Sequence, residues 1–261
     1  MNNINLGPYL SKKSLYHMVQ PIVELTTNKV YGYEMLLRSK DMDSPEKIFG
    51  YAEKKGKLFD LDMYSINKAF EEINERASEL KGKHLFINIL PSNIANNFNI
   101  QGIEQLKSTL KPTVHNIVFE ITEERKEAEL LMCKTMVSDM KKQGFLIALD
   151  DLGKGDSTIP YAMELEPNIV KLDCYFSQNL AYNLDKQRAI QSIIKLLGDD
   201  PIVILEGLEK VEDLYMAKAL GIRYAQGYVL GKPGSIDYYL SSEVVETAYI
   251  HNTGEQRIGW L

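Results

Sequence analysis

Polar side chains suited to holding a hard divalent cation recur where the apolar runs of this chain end. Asn88 interrupts Leu85-Phe86-Ile87, Glu120 follows Ile117-Val118-Phe119, and Asp150 and Asp151 follow Leu146-Ile147-Ala148-Leu149. Lys171 and Asp173 follow Ile169-Val170, Glu206 follows Ile202-Val203-Ile204-Leu205, and Gln226 lies early in the last run. A single acid of this kind says little, because Asp and Asn favour turns and helix caps. A set says more. Two carboxylates 4 Å apart repel by about 4 kcal/mol at an effective dielectric near about 20, so several in one place need counter-ions or raised pKa values. Oxygen donors from Asp, Glu and Asn suit Mg2+ or Mn2+, whereas zinc prefers His and Cys. His17, His84, His115 and His251 show no ligand spacing and are expected at the surface or in satisfied contacts. Two cations about 4 Å apart can activate a water and stabilise the leaving oxygen of an in-line phosphoryl displacement. Adjacent Asp150 and Asp151 can share such a pair only if the strand ends between them, since strand neighbours face opposite sides. Gly153 and Gly155 follow at once and permit a sharp turn.

Residues so far apart in sequence meet only if a fold gathers strand ends. Apolar runs at 84 to 90, 117 to 122, 145 to 150, 169 to 172, 202 to 205 and 224 to 230 read as buried strands. Segments with helical spacing lie between most of them, at 61 to 80, 124 to 142, 177 to 197 and 209 to 220. Ser44 before Pro45 and Glu46 predicts a helix N-terminus, and Gly144 and Gly221 stand where helix C-caps belong. Met18 to Glu24 and Val30 to Arg38, parted by Thr26, Thr27 and Asn28, predict an opening hairpin. About eight strands alternating with helices favour an α/β fold closed as a TIM-like (β/α)8 barrel over an open doubly wound sheet. In such barrels the site is built at the C-terminal strand ends.

Composition narrows the function classes. At 261 residues with 44% hydrophobic and 25% charged residues, the chain reads as one soluble domain, with no linker, repeat or low-complexity tract. No stretch approaches the roughly 20 apolar residues of a membrane span, and the N-terminus lacks the pattern of a secretory signal, so a cytoplasmic protein is expected. A net charge of −6 argues against a broad face for duplex nucleic acid. Cys133 and Cys174 lack Cys-x-x-Cys spacing and are expected to be two buried thiols.

In order and spacing, the polar blocks resemble the EAL-domain cyclic di-GMP phosphodiesterases across residues 17 to 240. Gln20-Pro21-Ile22-Val23 precedes Glu34-Met35-Leu36-Leu37-Arg38, with Met35 in place of the name-giving Ala. Then come Ile87-Asn88-Ile89, Phe119-Glu120-Ile121-Thr122-Glu123, Asp150-Asp151-Leu152-Gly153, Lys171-Leu172-Asp173, Glu206-Gly207-Leu208-Glu209 and Gln226-Gly227-Tyr228. The resemblance implies an EAL-type barrel with one antiparallel strand, residues 1 to 16 forming an extension and 241 to 261 a tail. It implies that Glu34, Asn88, Glu120 and Asp150 hold one metal ion and that Asp150, Asp151 and Glu206 hold a second, the ions being Mg2+ or Mn2+. By the same resemblance Lys171, with Glu206 and Asp151 nearby, acts on the attacking water, while Gln20, Leu36, Arg38 and Gln226 meet the substrate. Glu123 braces the loop after Asp151, and Glu209 and Asp173 support the ligands from outside. The implied activity is that of a cyclic-guanylate-specific phosphodiesterase, converting the second messenger cyclic di-GMP to linear pGpG. A homodimer fits the family, although Leu152 stands where the loop of residues 151 to 158 usually carries an aromatic residue. The rival readings are a barrel that binds the dinucleotide without turnover and a scaffold that works through protein contacts. No ligand position is lost, which favours the enzyme.

Overall fold

The computed structural model describes residues 13–90, 100–122, 127–153, 158–198 and 200–241. Eight strands close into a barrel in which each pairs with its sequence neighbour and the last returns to the first. Strands β1 (Leu15–Glu24) and β2 (Lys29–Ser39) form the expected hairpin, antiparallel, with Gln20 opposite Glu34. Strand β1 is also antiparallel to β8 (Tyr224–Gln226), while every other neighbouring pair is parallel. One reversed strand in an otherwise parallel barrel is therefore what the opening hairpin produces.

Helices α1 (Pro45–Lys54) and α2 (Leu58–Glu75) follow the hairpin. Ser44 caps α1 as expected, its side chain accepting from Lys47 N. The remaining elements in chain order are β3 (His84–Ile89), α3 (Ile100–Ser108), β4 (Ile117–Thr122), α4 (Glu127–Lys142), β5 (Leu146–Leu152), α5 (Thr158–Leu165) and β6 (Ile169–Leu172). Then come α6 (Cys174–Ser177), α7 (Leu184–Leu197), β7 (Ile202–Leu205), α8 (Val211–Ala219), β8 and α9 (Ile236–Leu240). Gly144 and Gly221 adopt positive φ just after α4 and α8, as C-cap glycines do.

Three sequence expectations need correction. The helix predicted over 177 to 197 is broken, because Asp173 caps the short α6, a 3-10 turn follows at Leu180–Tyr182, and Asn183 caps α7 by accepting from Asp185 N and Lys186 N. The strand predicted over 224 to 230 stops at Gln226, after which Val229 N bonds to Leu208 O across a loop. Cys133 is buried but Cys174 is exposed, because it opens α6 on the outer face of the barrel mouth.

The core has two parts, and strand alternation explains them. One face of the strands packs against the helices, with Tyr33, Met35, Ile87, Phe119, Ile121, Leu149 and Leu172 among the buried contributors. The other face points to the barrel axis and holds a separate apolar layer of Ile22, Phe86, Val118, Ala148, Ile169, Ile204 and Tyr224. None of the described helices is long and apolar enough to cross a membrane.

Candidate active site

Moving two residues along each strand from that axial layer, toward the barrel's C-terminal mouth, changes the chemistry completely. Ile22 leads to Gln20 on the reversed β1, Phe86 to Asn88, Val118 to Glu120, Ala148 to Asp150, Ile169 to Lys171, Ile204 to Glu206 and Tyr224 to Gln226. On β2 the step runs from Gly32 to Glu34. All eight strands thus contribute to one polar layer seated on an apolar floor. The period-two geometry of a strand puts these side chains on the same face.

Lys171 stands at the centre of this layer, 1% exposed. Its ammonium lies 2.6 Å from Glu120 Oε1, 2.7 Å from Glu206 Oε1, 3.1 Å from Asp150 Oδ1 and 3.7 Å from Glu34 Oε2. Gln226 Nε2 donates to Glu34 Oε2 at 2.6 Å and to Gln20 Oε1 at 3.1 Å, and Gln20 Nε2 donates to Gly231 O at 3.0 Å. Asn88 Nδ2 donates to Glu34 Oε1 at 3.2 Å. The structure therefore brings together Gln20, Glu34, Asn88, Glu120, Asp150, Lys171, Glu206 and Gln226.

Asp151 joins them by a local distortion. The pairing of β5 with β6 shifts register between Leu149 and Leu152, and Asp151 takes a left-handed φ of 58°. The strand does not end between the two aspartates, as the sequence reading required; it runs on to Leu152, and the bulge turns the second carboxylate instead. One oxygen each from Asp150, Asp151 and Glu206 then lie within 4.8 Å of one another. A non-glycine residue held at positive φ is backbone strain of the kind that clusters at functional sites.

The electrostatics follow from burial. Burial drives the Glu120 carboxyl well above the usual glutamate range, and the neighbouring Glu34 charge adds to this. Burial also raises Asp150 and, strongly, Glu206, in both cases against the pull of Lys171. Glu34 goes the other way: burial pushes it up, but Lys171 and hydrogen bonds from Gln226 and Asn88 outweigh that push. Lys171, despite burial, is held well above the ordinary lysine value by Asp150, Glu120, Glu206 and Glu34. Neither oxygen of the fully buried Glu120 accepts a well-formed hydrogen bond, although Oε1 is ion-paired to Lys171. A buried carboxylate whose Oε2 meets no hydrogen-bond donor, in an all-oxygen set of acids, fits a hard divalent cation.

The other residues singled out in the sequence fall around this layer. Leu36 and Arg38 continue the Glu34 face of β2 and are half-buried, Arg38 Nη1 donating to Leu37 O at 2.9 Å. They line a cavity of about 220 Å³ shared with Asn88, Phe49, Asp62 and Ser65. Asp173 caps α6, its Oδ1 accepting from Tyr175 N at 2.7 Å. Glu209 is exposed at the start of the connection from β7 to α8, and Glu123 lies outside the described residues. Gly207, after Glu206, has a φ of 69°, and a Cβ there would sit 2.3 Å from Cys174 Cβ, so the β7 end packs directly on α6. Asp62 and Ser65 were missed. Their signal was available: both are polar positions on the otherwise apolar, buried face of α2, with Leu61, Ile66, Ala69, Phe70 and Ile73. A larger cavity of about 540 Å³ opens at the other end of the barrel, where Leu146, Ile169 and Ile202 begin their strands. It contains none of the clustered acids, so size does not identify the site here.

Comparison with known proteins identifies the family and the fold. The Escherichia coli (strain K12) protein named cyclic di-GMP phosphodiesterase PdeF is 26% identical over 230 residues, covering 86% of this chain and 30% of that protein. The chain thus spans under a third of that relative's length. A standalone EAL protein from Vibrio cholerae O395, solved in a c-di-GMP-bound form, is 27% identical with a TM-score of 0.73, covering 87% of this chain and 98% of that one. Klebsiella pneumoniae BlrP1, solved in a manganese and cy-diGMP complex, shares the fold at a TM-score of 0.74 with 24% identity, covering 87% of this chain and 57% of that one. The family model described as EAL domain matches residues 5–233, and the chain belongs to that family of cyclic di-GMP phosphodiesterases.

Proposed function

We infer that this chain hydrolyses cyclic di-GMP to linear pGpG using two divalent cations, Mg2+ or Mn2+. The observation that carries the reading is the complete polar layer, to which every strand of the barrel supplies a polar side chain, acids among them, with Lys171 at its centre. Glu34, Asn88, Glu120 and Asp150 would hold one ion, and Asp150, Asp151 and Glu206 the other. Such ions supply Lewis-acid polarisation of the phosphate and of an attacking water. The remaining work belongs to the chain. The Lys171 ammonium, 2.7 Å from Glu206, orients the water, and the Glu206 carboxylate takes up its proton. Gln226 and Gln20 fix the Glu34 carboxylate, so that its geometry is set before ligand arrives. Arg38 supplies charge-assisted bonds to a substrate phosphate, and Leu36 packs against the nucleotide. In the reaction, water oxygen bonds to phosphorus, one P–O3′ bond breaks, and a proton passes to the departing 3′ oxygen.

The test is direct. Purified protein with Mg2+ or Mn2+ and cyclic di-GMP, followed by chromatography, is expected to yield linear pGpG, and Glu34→Ala is expected to yield none. Absence of product with both metals, or full activity in the variant, overturns the reading.

A further inference from the structure

A second buried chain of polar groups lies beside the acids. His17 of β1 points away from the barrel axis toward α2, where its Nδ1 is 3.1 Å from Glu72 Oε2 and its Nε2 is 3.1 Å from Ser65 Oγ. Glu72 is itself anchored by Lys68, 3.2 Å from Oε1. Burial pushes the Glu72 carboxyl up, but hydrogen bonds from His17 and Lys68 and the Lys68 charge hold it below the usual range, so it is an ionised acceptor. For the neutral ring this geometry selects one tautomer. An acceptor at Glu72 requires a hydrogen on Nδ1, so in the neutral ring Nε2 is bare and the Ser65 hydroxyl must donate to it. Ser65 Oγ then has lone pairs but no hydrogen to offer any other partner.

Ser65 lines the cavity of about 220 Å³ between β2, β3, α1 and α2, together with Asp62, Arg38 and Asn88. Asp62 lies one helical turn before Ser65 on the same face of α2, and its Oδ2 accepts from Leu90 N at 3.1 Å. From α2, therefore, the cavity meets acceptors: a carboxylate and a hydroxyl whose hydrogen is committed elsewhere. Cavities for drug-sized ligands run to roughly 300–1,000 Å³, so this one suits a single ring system and not a whole dinucleotide. It is one side chain from the acids, since Asn88 borders the cavity and donates to Glu34. Taken with the function inferred above, on which this rests, the moiety that reaches the cavity is a base. Guanine presents adjacent N1–H and 2-amino donors; hypoxanthine lacks the amine, and adenine presents an acceptor at N1.

We propose that Ser65, fixed as an acceptor by His17, is a specificity-determining residue that reads the 2-amino group of one guanine of the substrate. Asp62 takes the neighbouring N–H. A site built to bond a donor rejects the analogue lacking it, because its own polar groups stay unpaired.

The experiment crosses a variant with a ligand atom. Dissociation constants for cyclic di-GMP and cyclic di-IMP are measured by calorimetry at pH 8.5 with Ca2+ in place of Mg2+, for wild type, Ser65→Ala, Ser65→Thr and His17→Phe. Wild type is expected to prefer cyclic di-GMP by tenfold or more. Ser65→Ala and His17→Phe are each expected to weaken cyclic di-GMP by about five- to tenfold and to leave cyclic di-IMP within twofold. Ser65→Thr, which keeps the hydroxyl, is expected to retain the preference. Equal losses for both dinucleotides in the Ser65→Ala and His17→Phe variants, or none, overturn the role of Ser65. If either of those variants fails to fold, wild type and Ser65→Thr decide alone: a twofold preference or less in both overturns it. Failure of wild type to bind either dinucleotide would sink the functional reading itself, a result distinct from binding both equally.

Discussion

Replacing Lys171 by Met should destabilise the metal-free protein strongly, and the loss should shrink as the pH falls. Four carboxylates surround Nζ at 2.6, 2.7, 3.1 and 3.7 Å. At an effective dielectric near about 20 each pair attracts by about 4 to 6 kcal/mol, and this gross attraction is offset by desolvation of every ion and by repulsion among the acids. What matters is the cost of removing one partner from a buried ionic set, about 3 to 5 kcal/mol. Glu120, Asp150 and Glu206 are already raised above their usual ranges and can neutralise themselves by binding protons, which places the expected loss at the lower end, about 3 kcal/mol at pH 8. For a domain of this size 1 kcal/mol moves Tm by about 2 to 4 °C, so the variant should melt about 6 to 12 °C lower. Scanning calorimetry in EDTA at pH 8 and pH 5.5 measures it, with the gap at pH 5.5 expected to be less than half that at pH 8. A Tm within 2 °C of wild type at pH 8, or a gap independent of pH, would refute the idea that the ammonium balances the buried charges.

Metal-free wild type should lose stability as pH rises from about 5 through neutrality. Glu120, Asp150 and Glu206 have raised folded pKa values, so the native state holds more protons than the unfolded one above the ordinary acid values of 3.8 and 4.5. Glu34 is lowered, and its contribution, present above 4.5, is lost as pH falls below that value, so urea midpoints in EDTA should peak near about pH 5. Gly207→Ala should cost about 1 to 3 kcal/mol, because the added Cβ meets Cys174 Cβ at 2.3 Å and φ is 69°; an unchanged urea midpoint would show that the β7 end can move away from α6.

The barrel was legible because its strands obey one rule and its helices another. Apolar runs of four to seven residues broken by helical segments can hardly be anything but β/α units, and the turn containing Asn28 marked the reversed strand. Most of the site was legible for the same reason, since a polar residue two positions past an axial apolar one has no place in a packed barrel interior. The misses are local. Asp173 was read with the site because it lies two residues past Lys171, but β6 ends at Leu172, so strand alternation no longer sets its direction and its side chain caps α6. The bulge at Asp151 depends on pairing with β6, a long-range contact that no window of sequence displays. Asp62 and Ser65 were hidden because a helix face reads as apolar when five of seven buried positions are apolar.

The same alternation separates what holds the fold from what does chemistry. Residues such as Met35, Ile87, Phe119, Ile121 and Leu149 face the helices and belong to the main core, whereas their neighbours Glu34, Asn88, Glu120 and Asp150 face the axis. Apart from Asp150, whose neighbour Asp151 the bulge draws into the site, each of these residues is thus flanked along its strand by residues that anchor the strand from the helix side. Removing the Glu34 side chain deletes two hydrogen-bond acceptors of the polar layer but leaves Tyr33 and Met35 packed as before. Burial grades across the layer, from Glu120 at 0% and Lys171 at 1% to side chains of Asp150 at 13% and Glu206 at 17%. Asp150, Asp151, Glu206 and, across the mouth, Asn88 are thus the members of the layer that solvent reaches. Glu120, fully buried with the barrel wall behind it, is balanced instead by the Lys171 ammonium 2.6 Å from its Oε1.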